Sequence, residues 1–154
     1  MQLGDLFDLS LVGRRDAIGL EYDAPDGVRE LTFGEIDARA NRMARALVAR
    51  GLTRGDRICV HLANRIDFLD LFLACIRLGV IFVPINVLYR EREIAHIVAD
   101  AEPGMSVTTS EHASLFGDHG VVDIEDLARQ AASAPSERVR LAIDGDEPAG
   151  VIYT

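Results

Sequence analysis

Lysine and tryptophan are both absent from the 154-residue sequence, so all 16 of its basic residues are arginines. The absence of lysine excludes a Schiff-base lysine, a P-loop lysine and a lysine general base within these residues. Aspartate and glutamate total 25, which gives a formal net charge of −9. Such an acidic chain disfavours nucleic acid as a partner, but nucleotide binding stays open because backbone amides can hold phosphates.

Cysteine is scarce, and its two copies fall in segments that are predicted to be buried. Cys59 lies in an apolar strand and Cys75 in an apolar helix, which favours free thiols in the core over a disulfide or a metal site. The first residues, Met1–Asp16, lack the basic region and long apolar run of a secretory signal. These features favour a reducing, cytoplasmic setting.

The longest apolar run, Phe68–Ile85, has 18 residues, which is the lower limit for a membrane span. It is interrupted by Asp70, Arg77, Gly79 and Pro84, and charges near mid-bilayer are costly. The sequence therefore predicts no transmembrane segment.

The stretch Arg57–Asn86 instead predicts a strand, a buried helix and a second strand. Short apolar runs at Arg57–Leu62 and Val80–Ile85 flank a helical segment, Asn64–Leu78, which Gly79 ends. The helix is apolar nearly all round, so we expect it to be buried. Three charged residues would complement its dipole and Asn64 would cap it: Asp67 and Asp70 near the start and Arg77 near the end.

The flanking segments complete an α/β pattern. A helix is predicted at Leu3–Leu11, and a hairpin around the turn Ala24–Gly27 precedes a capping box, Thr32 with Glu35, that opens a helix. Further elements are predicted at Glu91–Ala101 (helix), Met105–Thr109 (strand), Ser110–Phe116 (short helix), Val121–Ile124 (strand), a helix to Ala132, and Ala149–Thr154 (strand). The expected fold is a three-layer, doubly wound, mostly parallel sheet with helices on both faces and an N-terminal β-hairpin. Residues 1–154 are expected to form a single N-terminal α/β domain or subdomain that is itself incomplete, with 134–146 as a surface connection.

Ligands in open α/β sheets gather beyond the carboxyl ends of the strands, and polar residues occur at each predicted end. His61 could be a general base there, or a half-buried strand residue with one satisfied nitrogen. Asn64 and Ser110 are more simply helix caps. Asn86 and Tyr89 could line a cleft or stabilise their loop. Thr108–Ser110 and Thr154 complete the set of candidates.

No complete catalytic or metal-binding motif is present. His112 and His119 lack a metal-ligand spacing, and the alternating charges of Arg90–Glu93 are typical of a solvated helix start. Neither a G-x-S-x-G nor a G-x-G-x-x-G pattern occurs. We therefore assign no catalytic residue and no metal ligand within these residues.

Four stretches together resemble the N-terminal region of the adenylate-forming (AMP-binding) superfamily. They are Leu31–Ile36 running on to Ala46, Leu47 and Gly51; Gly55–Ile58; Asn64–Gly79 followed by Val83–Asn86; and Asp146–Thr154. Val87 stands where the family commonly has a second proline, and residues 111–145 match no family pattern.

The resemblance implies part of the large N-terminal domain of an ATP-dependent carboxylate–CoA ligase. Such enzymes use ATP, Mg²⁺ and CoA, form an acyl-adenylate from a small-molecule carboxylate, and pass the acyl group to the CoA thiol. Thr154 would be the first residue of the phosphate loop, to which Ala149–Thr154 leads. The 154 residues alone are expected to be inactive, to bind none of these cofactors tightly, and to tend to self-associate.

Three alternatives stay open at this point. A nonribosomal-peptide adenylation domain and a luciferase-like enzyme belong to the same superfamily. A free-standing flavodoxin-like binding module is the third alternative, although His61–Asn64 stands where a flavin site would want a Ser/Thr/Gly-rich loop.

Overall fold

The computed structural model describes residues 1–154 and contains five α-helices and six strands. The helices are α1 (Leu3–Leu11), α2 (Phe33–Ala49), α3 (Ile66–Leu78), α4 (Glu91–Ala101) and α5 (Ile124–Ala132). The strands are β1 (Ile18–Ala24), β2 (Gly27–Thr32), β3 (Arg57–Val60), β4 (Ile81–Pro84), β5 (Met105–Thr108) and β6 (Val122–Asp123). A 3₁₀ helix spans Ser110–Phe116.

The main sheet is parallel and has the strand order β4-β3-β5-β6. Alternate residues of β3 face opposite layers, as the strand period of two requires. Ile58 and Val60 pack in the cluster that α2, α3 and α5 share, whereas Cys59 packs with α4 and the 3₁₀ helix. Helices therefore cover both faces, and the predicted three-layer, doubly wound fold is confirmed. The antiparallel hairpin β1-β2 is confirmed as well.

Helix α2 begins as predicted from its capping box. The backbone N–H of Glu35 donates to Thr32 Oγ1 at 3.2 Å, and the N–H of Thr32 donates to Glu35 Oε2 at 2.8 Å. This exchange satisfies two donors that a helix N-terminus would otherwise leave free. The helix then packs on α3 and α5 through its stripe of buried residues: Ile36, Ala40, Met43, Ala44 and Leu47.

Helix α3 is largely buried, and Gly79 ends it with a φ of 67°, which favours glycine. The prediction that Asn64 caps this helix is wrong. The helix starts at Ile66, so Arg65 occupies the cap position, and Asn64 is exposed one residue further out. The N-terminal turn is instead held through Arg65, whose Nε donates to Asp67 Oδ2 at 2.6 Å.

The segment Ala149–Thr154 does not form the predicted strand. It meets β4 at one parallel bridge, Gly150 with Phe82, where the N–H of Phe82 donates to Ala149 O and the N–H of Val151 donates to Phe82 O. Beyond Val151 the backbone makes no further bridge to β4, and the Tyr153 hydroxyl donates a hydrogen bond to Asp100 of α4.

None of the helices combines the length and the apolarity that a membrane crossing requires. Residues 134–146 contain no helix or strand.

Candidate functional site

A groove of about 580 Å³ opens beyond the carboxyl ends of β3 and β4. Its walls are mostly apolar and include Leu62, Phe68, Ile85 and Val87. Four polar residues also line it: Asn64, Asn86, Tyr89 and Tyr153. A concave, apolar surface with a few polar groups is typical of small-molecule sites, and this one lies at the edge where α/β sheets bind ligands.

The loop after β4 shapes one wall of this groove. Asn86 Oδ1 accepts a hydrogen bond from the N–H of Leu88 at 2.9 Å, and Asn86 O accepts one from the N–H of Tyr89. The side-chain oxygen of Asn86 thus stabilises the turn. Its side-chain amide N–H groups make no hydrogen bond within the chain and remain available at the exposed rim.

The terminal segment forms another wall. The Tyr153 hydroxyl donates to Asp100 Oδ2 at 2.5 Å, and its ring meets the ring of His96 edge-on, with centroids 6.4 Å apart. The hydrogen bond to Asp100 raises the pKa of Tyr153 to about 12. The following residue, Thr154, is exposed and makes no hydrogen bond.

The His61 side chain, which follows β3, hydrogen-bonds to Thr108 of β5 and is not among the residues that line the groove. Its ring is fully buried, and Nδ1 is 3.1 Å from Thr108 Oγ1. Because the Thr108 hydroxyl donates to His61 O at 3.0 Å, it must accept from Nδ1–H, which assigns the tautomer. The residue has one satisfied nitrogen, as predicted, but is fully buried rather than half-buried. This burial, which puts the ring out of contact with the groove, argues against a general base.

The environment of His61 disfavours its protonation. Burial lowers the pKa of the imidazole, and His112 lowers it further, since the two rings meet edge-on at 5.3 Å between centroids. Nε2 has no hydrogen-bond partner and is enclosed. The neutral form therefore suits this position.

The remaining candidates take structural roles. Thr109, not Ser110, occupies the cap position of the 3₁₀ helix, and its Oγ1 lies 3.3 Å from His112 Nδ1, so the predicted Ser110 cap is wrong. His119 is exposed. The residues Arg90–Glu93 are exposed as expected, and Glu93 accepts from the N–H of Arg90 at 3.0 Å. No group of three or more metal-ligating side chains is gathered in the structure.

Both cysteines are free and buried, as the sequence predicts. Burial raises the pKa of the Cys59 thiol to about 12 and also raises that of Cys75. Thiols held protonated in this way are poor nucleophiles and poor metal ligands.

A buried ion-pair network between α2 and α3 was missed by the sequence reasoning. Arg77 Nη2 lies 2.6 Å from Asp37 Oδ1, and Arg39 binds Asp70 through Nε and Nη2 at 3.1 and 2.6 Å. Burial raises the pKa of Asp70, against the opposing effect of the Arg39 guanidinium. The charged side chains of α3 thus pair with charged side chains of α2, in addition to any interaction with the helix dipole. The feature of the sequence that could have indicated this pairing is the presence of charged residues within an otherwise apolar helix.

The sequence matches the AMP-binding enzyme family over residues 10–154. It is 36% identical over 137 residues to a probable non-canonical nonribosomal peptide synthetase, CymA of Salinispora arenicola; the match covers 84% of this chain and 2% of CymA. It is 28% identical to the long-chain-fatty-acid–CoA ligase FadD13 of Mycobacterium tuberculosis, covering 86% of this chain and 29% of FadD13.

The fold is similar to that of apo MatB from Rhodopseudomonas palustris, with a TM-score of 0.84 and 26% identity. That superposition covers all of this chain and 32% of MatB. The chain thus spans less than a third of each of these three proteins. The fold and the sequence match, which extends over nearly the whole chain, indicate the same family. The protein belongs to the AMP-binding, adenylate-forming enzyme family.

Proposed function

We propose that these residues are the N-terminal part of an ATP-dependent carboxylate–CoA ligase. In the reaction, a carboxylate oxygen attacks the α-phosphorus of ATP and displaces pyrophosphate. The thiol sulfur of CoA then attacks the acyl carbon and displaces AMP. The 28% identity to the long-chain-fatty-acid–CoA ligase FadD13, which extends over 86% of this chain, supports this proposal.

One observation carries the proposal: the terminal segment runs parallel to β4 and is joined to it at Gly150. Ile152 and Tyr153, which precede Thr154, line the groove beyond the carboxyl end of β4. In the proposal, Thr154 begins the loop that holds the phosphates of ATP. Backbone amides and hydroxyls in such a loop bind anionic oxygens.

The groove itself offers two amides and two phenols but no arginine among its lining residues. A triphosphate and its Mg²⁺ need cations and carboxylates to stabilise the charge that develops during transfer. We therefore propose that the described residues act as scaffold and that the reacting groups come from other parts of the parent enzyme. The chain alone is expected to be inactive.

The test uses both forms of the protein. The full-length parent and residues 1–154 are each incubated with ATP, Mg²⁺, CoA and a panel of fatty, aromatic and amino acids, and pyrophosphate and acyl-CoA are measured. The parent should release pyrophosphate with one class of carboxylate and form its acyl-CoA. Steady turnover by residues 1–154 would contradict the scaffold proposal.

A second candidate is a nonribosomal-peptide adenylation domain, which the 36% identity to CymA favours. The same panel separates the two. Adenylation of an amino acid without transfer to CoA would support the synthetase and reject the CoA ligase. A luciferase-like enzyme would instead consume oxygen after adenylation.

Two further properties are proposed, one for the parent and one for residues 1–154. We place it in the cytoplasm because both thiols are free and reduced, as is usual in a reducing compartment. We also expect residues 1–154 to self-associate, since only one bridge covers the outer edge of β4 and Leu88 and Ile152 are strongly exposed.

A further inference from the structure

Residues 137–147, which we call the strap, cross the outside of the molecule between α5 and the terminal segment. They form no helix or strand and none of them is buried, although Val139 and Ile143 are half-buried. At Gly145 the strap passes so close to the first residue that a Cβ would lie 2.8 Å from Met1 O. A segment without regular structure or buried side chains has low local stability, so its position depends on its contacts with the helices.

Most of these contacts are polar. The buried side chain of Asn41 accepts the N–H of Val139 through Oδ1 at 3.0 Å, and Gln2 Oε1 accepts the N–H of Ile143 at 3.2 Å. Arginines make the other polar contacts: Arg45 with Glu137 O, Arg54 with Ala142 O and Glu147, Arg138 with Asp8, and Arg140 with Asp5. Since salt screens ion pairs at a protein surface, the attachment of the strap should weaken as the salt concentration rises.

Helix α1 depends on the strap in return. Its only charged residues, Asp5 and Asp8, both pair with arginines of the strap, and Asp5 Oδ1 lies 2.6 Å from Arg140 Nη2. Towards the rest of the molecule α1 contributes a single buried residue, Leu11, and an edge-on contact of Phe7 with Phe72. An isolated helix of nine residues is unstable in water, so α1 should loosen when the strap leaves it.

The strap and α1 also cover one side of the buried ion pair between α2 and α3. A crevice between them is lined by Arg77, together with residues 138–140 of the strap. Asn41, which holds Val139, donates from Nδ2 to Asp37 Oδ2 at 3.4 Å. Movement of the strap would therefore open a path for water to Asp37 and Arg77.

We propose that α1 and the strap form one cooperative unit that opens together while the main sheet stays folded, and that salt favours the open form. The pairs Asp5–Arg140 and Asp8–Arg138 couple the two segments, because each pair has one member on either side. The strap leads into the terminal segment that meets β4 at Gly150, so opening of the unit removes a restraint on that segment as well. This device does not depend on the proposed adenylation chemistry.

The test measures amide hydrogen exchange of the chain, without ATP or substrate, at about 20 and about 500 mM sodium chloride. The amides of residues 7–11 report on α1, those of Val139 and Ile143 report on the strap, and those of β3 report on the sheet. We expect high salt to speed exchange in α1 and in the strap by a similar factor, about threefold to tenfold, and to leave β3 unchanged.

Variants then test the coupling between the two segments. Arg138→Gln in the strap should speed exchange in α1, and Asp8→Asn in α1 should speed exchange in the strap, each about threefold. The double variant Asp8→Arg/Arg138→Asp, which restores a pair with its charges exchanged, should exchange more slowly than either of its single variants. The matched control is Arg129→Gln, which breaks the exposed pair with Asp126 within α5 and should change neither segment.

Circular dichroism of each variant establishes that the fold is kept. Unequal salt responses of α1 and the strap, faster exchange only in the segment that carries the substitution, or an equal effect of Arg129→Gln would overturn the proposal. An equal acceleration at β3 would also overturn it, because the whole chain would then be unfolding. Since no step of the test involves catalysis, its failure would leave the proposed function untouched.

Discussion

Replacing Arg77 with methionine should strongly destabilise the fold, because it leaves the carboxylate of Asp37 buried without its partner. The two side chains are 7% and 8% exposed and meet at 2.6 Å. With an effective dielectric constant of 20 and charge centres about 4 Å apart, their attraction is about 4 kcal/mol. Loss of one member of a buried pair typically costs about 3–5 kcal/mol.

Neighbouring groups compensate only weakly for this loss. Arg15 is 3.9 Å from Asp37 but is 56% exposed, so solvent screens it, and Asn41 donates to Asp37 only at 3.4 Å. We therefore expect Arg77→Met to lower the free energy of unfolding by about 3 kcal/mol or more. For a domain of this size the melting temperature should fall by roughly 6–20 °C.

Urea denaturation of the wild type and three variants measures the effect. The double variant Asp37→Leu/Arg77→Met removes both charges and should recover most of the lost stability, since the desolvation penalty disappears with the pair. Arg29→Met, which breaks the exposed pair with Asp26, is the matched control and should change nothing measurable. A single Arg77→Met variant that is as stable as the control, or a double variant that is no better than the single, would refute the reasoning.

Four other outcomes are expected. The pKa of His61 is lowered in the folded protein, so the unfolded chain binds a proton more readily than the native one. The free energy of unfolding should therefore fall as the pH drops below about 6.5, by at most about 1.4 kcal/mol per pH unit. In urea titrations at several pH values, His61→Gln should show a weaker dependence on pH. Gly150→Ala would place a Cβ 2.9 Å from Phe82 O and should release the terminal segment, seen as faster hydrogen exchange at Phe82 and Val151 while α3 amides stay protected. Tyr153→Phe should remove a phenol ionisation near pH 12 from an ultraviolet titration; a wild type without such an ionisation contradicts the Asp100 contact. Sedimentation should show residues 1–154 associating, and Ile152→Asp should reduce this; a strictly monomeric wild type would reject the open-edge argument.

Much of the fold could be predicted because local signals agreed with one another. The capping box at Thr32 and Glu35, the glycine after α3 and the stripe of α4 each specify a boundary through a short-range hydrogen bond or through burial. The match of α4 to its predicted bounds, Glu91–Ala101, reflects a strong i, i+3, i+4 pattern ended by Pro103.

The failures have different causes. Asn64 and Ser110 both have good capping chemistry, but the adjacent residues Arg65 and Thr109 occupy the cap positions, a difference of one residue that a sequence pattern does not resolve. The pairing of Asp37 with Arg77 joins residues 40 positions apart, and no local pattern reports that distance. The family resemblance indicated where a phosphate loop would begin. It did not predict the shape of the groove beyond β4, one wall of which contains Tyr153, bound to Asp100 of α4.

The central position of β3 has a consequence for how the protein is made. Both neighbours of β3 come later in the chain: β4 ends at Pro84 and β5 ends at Thr108. During synthesis, the first 60 residues must wait for about 50 more before their strand is paired on both sides. Until then one edge of β3 stays unpaired on the ribosome. The apolar face of α2 stays partly uncovered for longer, because its partner α5 ends only at Ala132. Uncovered apolar surface favours aggregation during this interval.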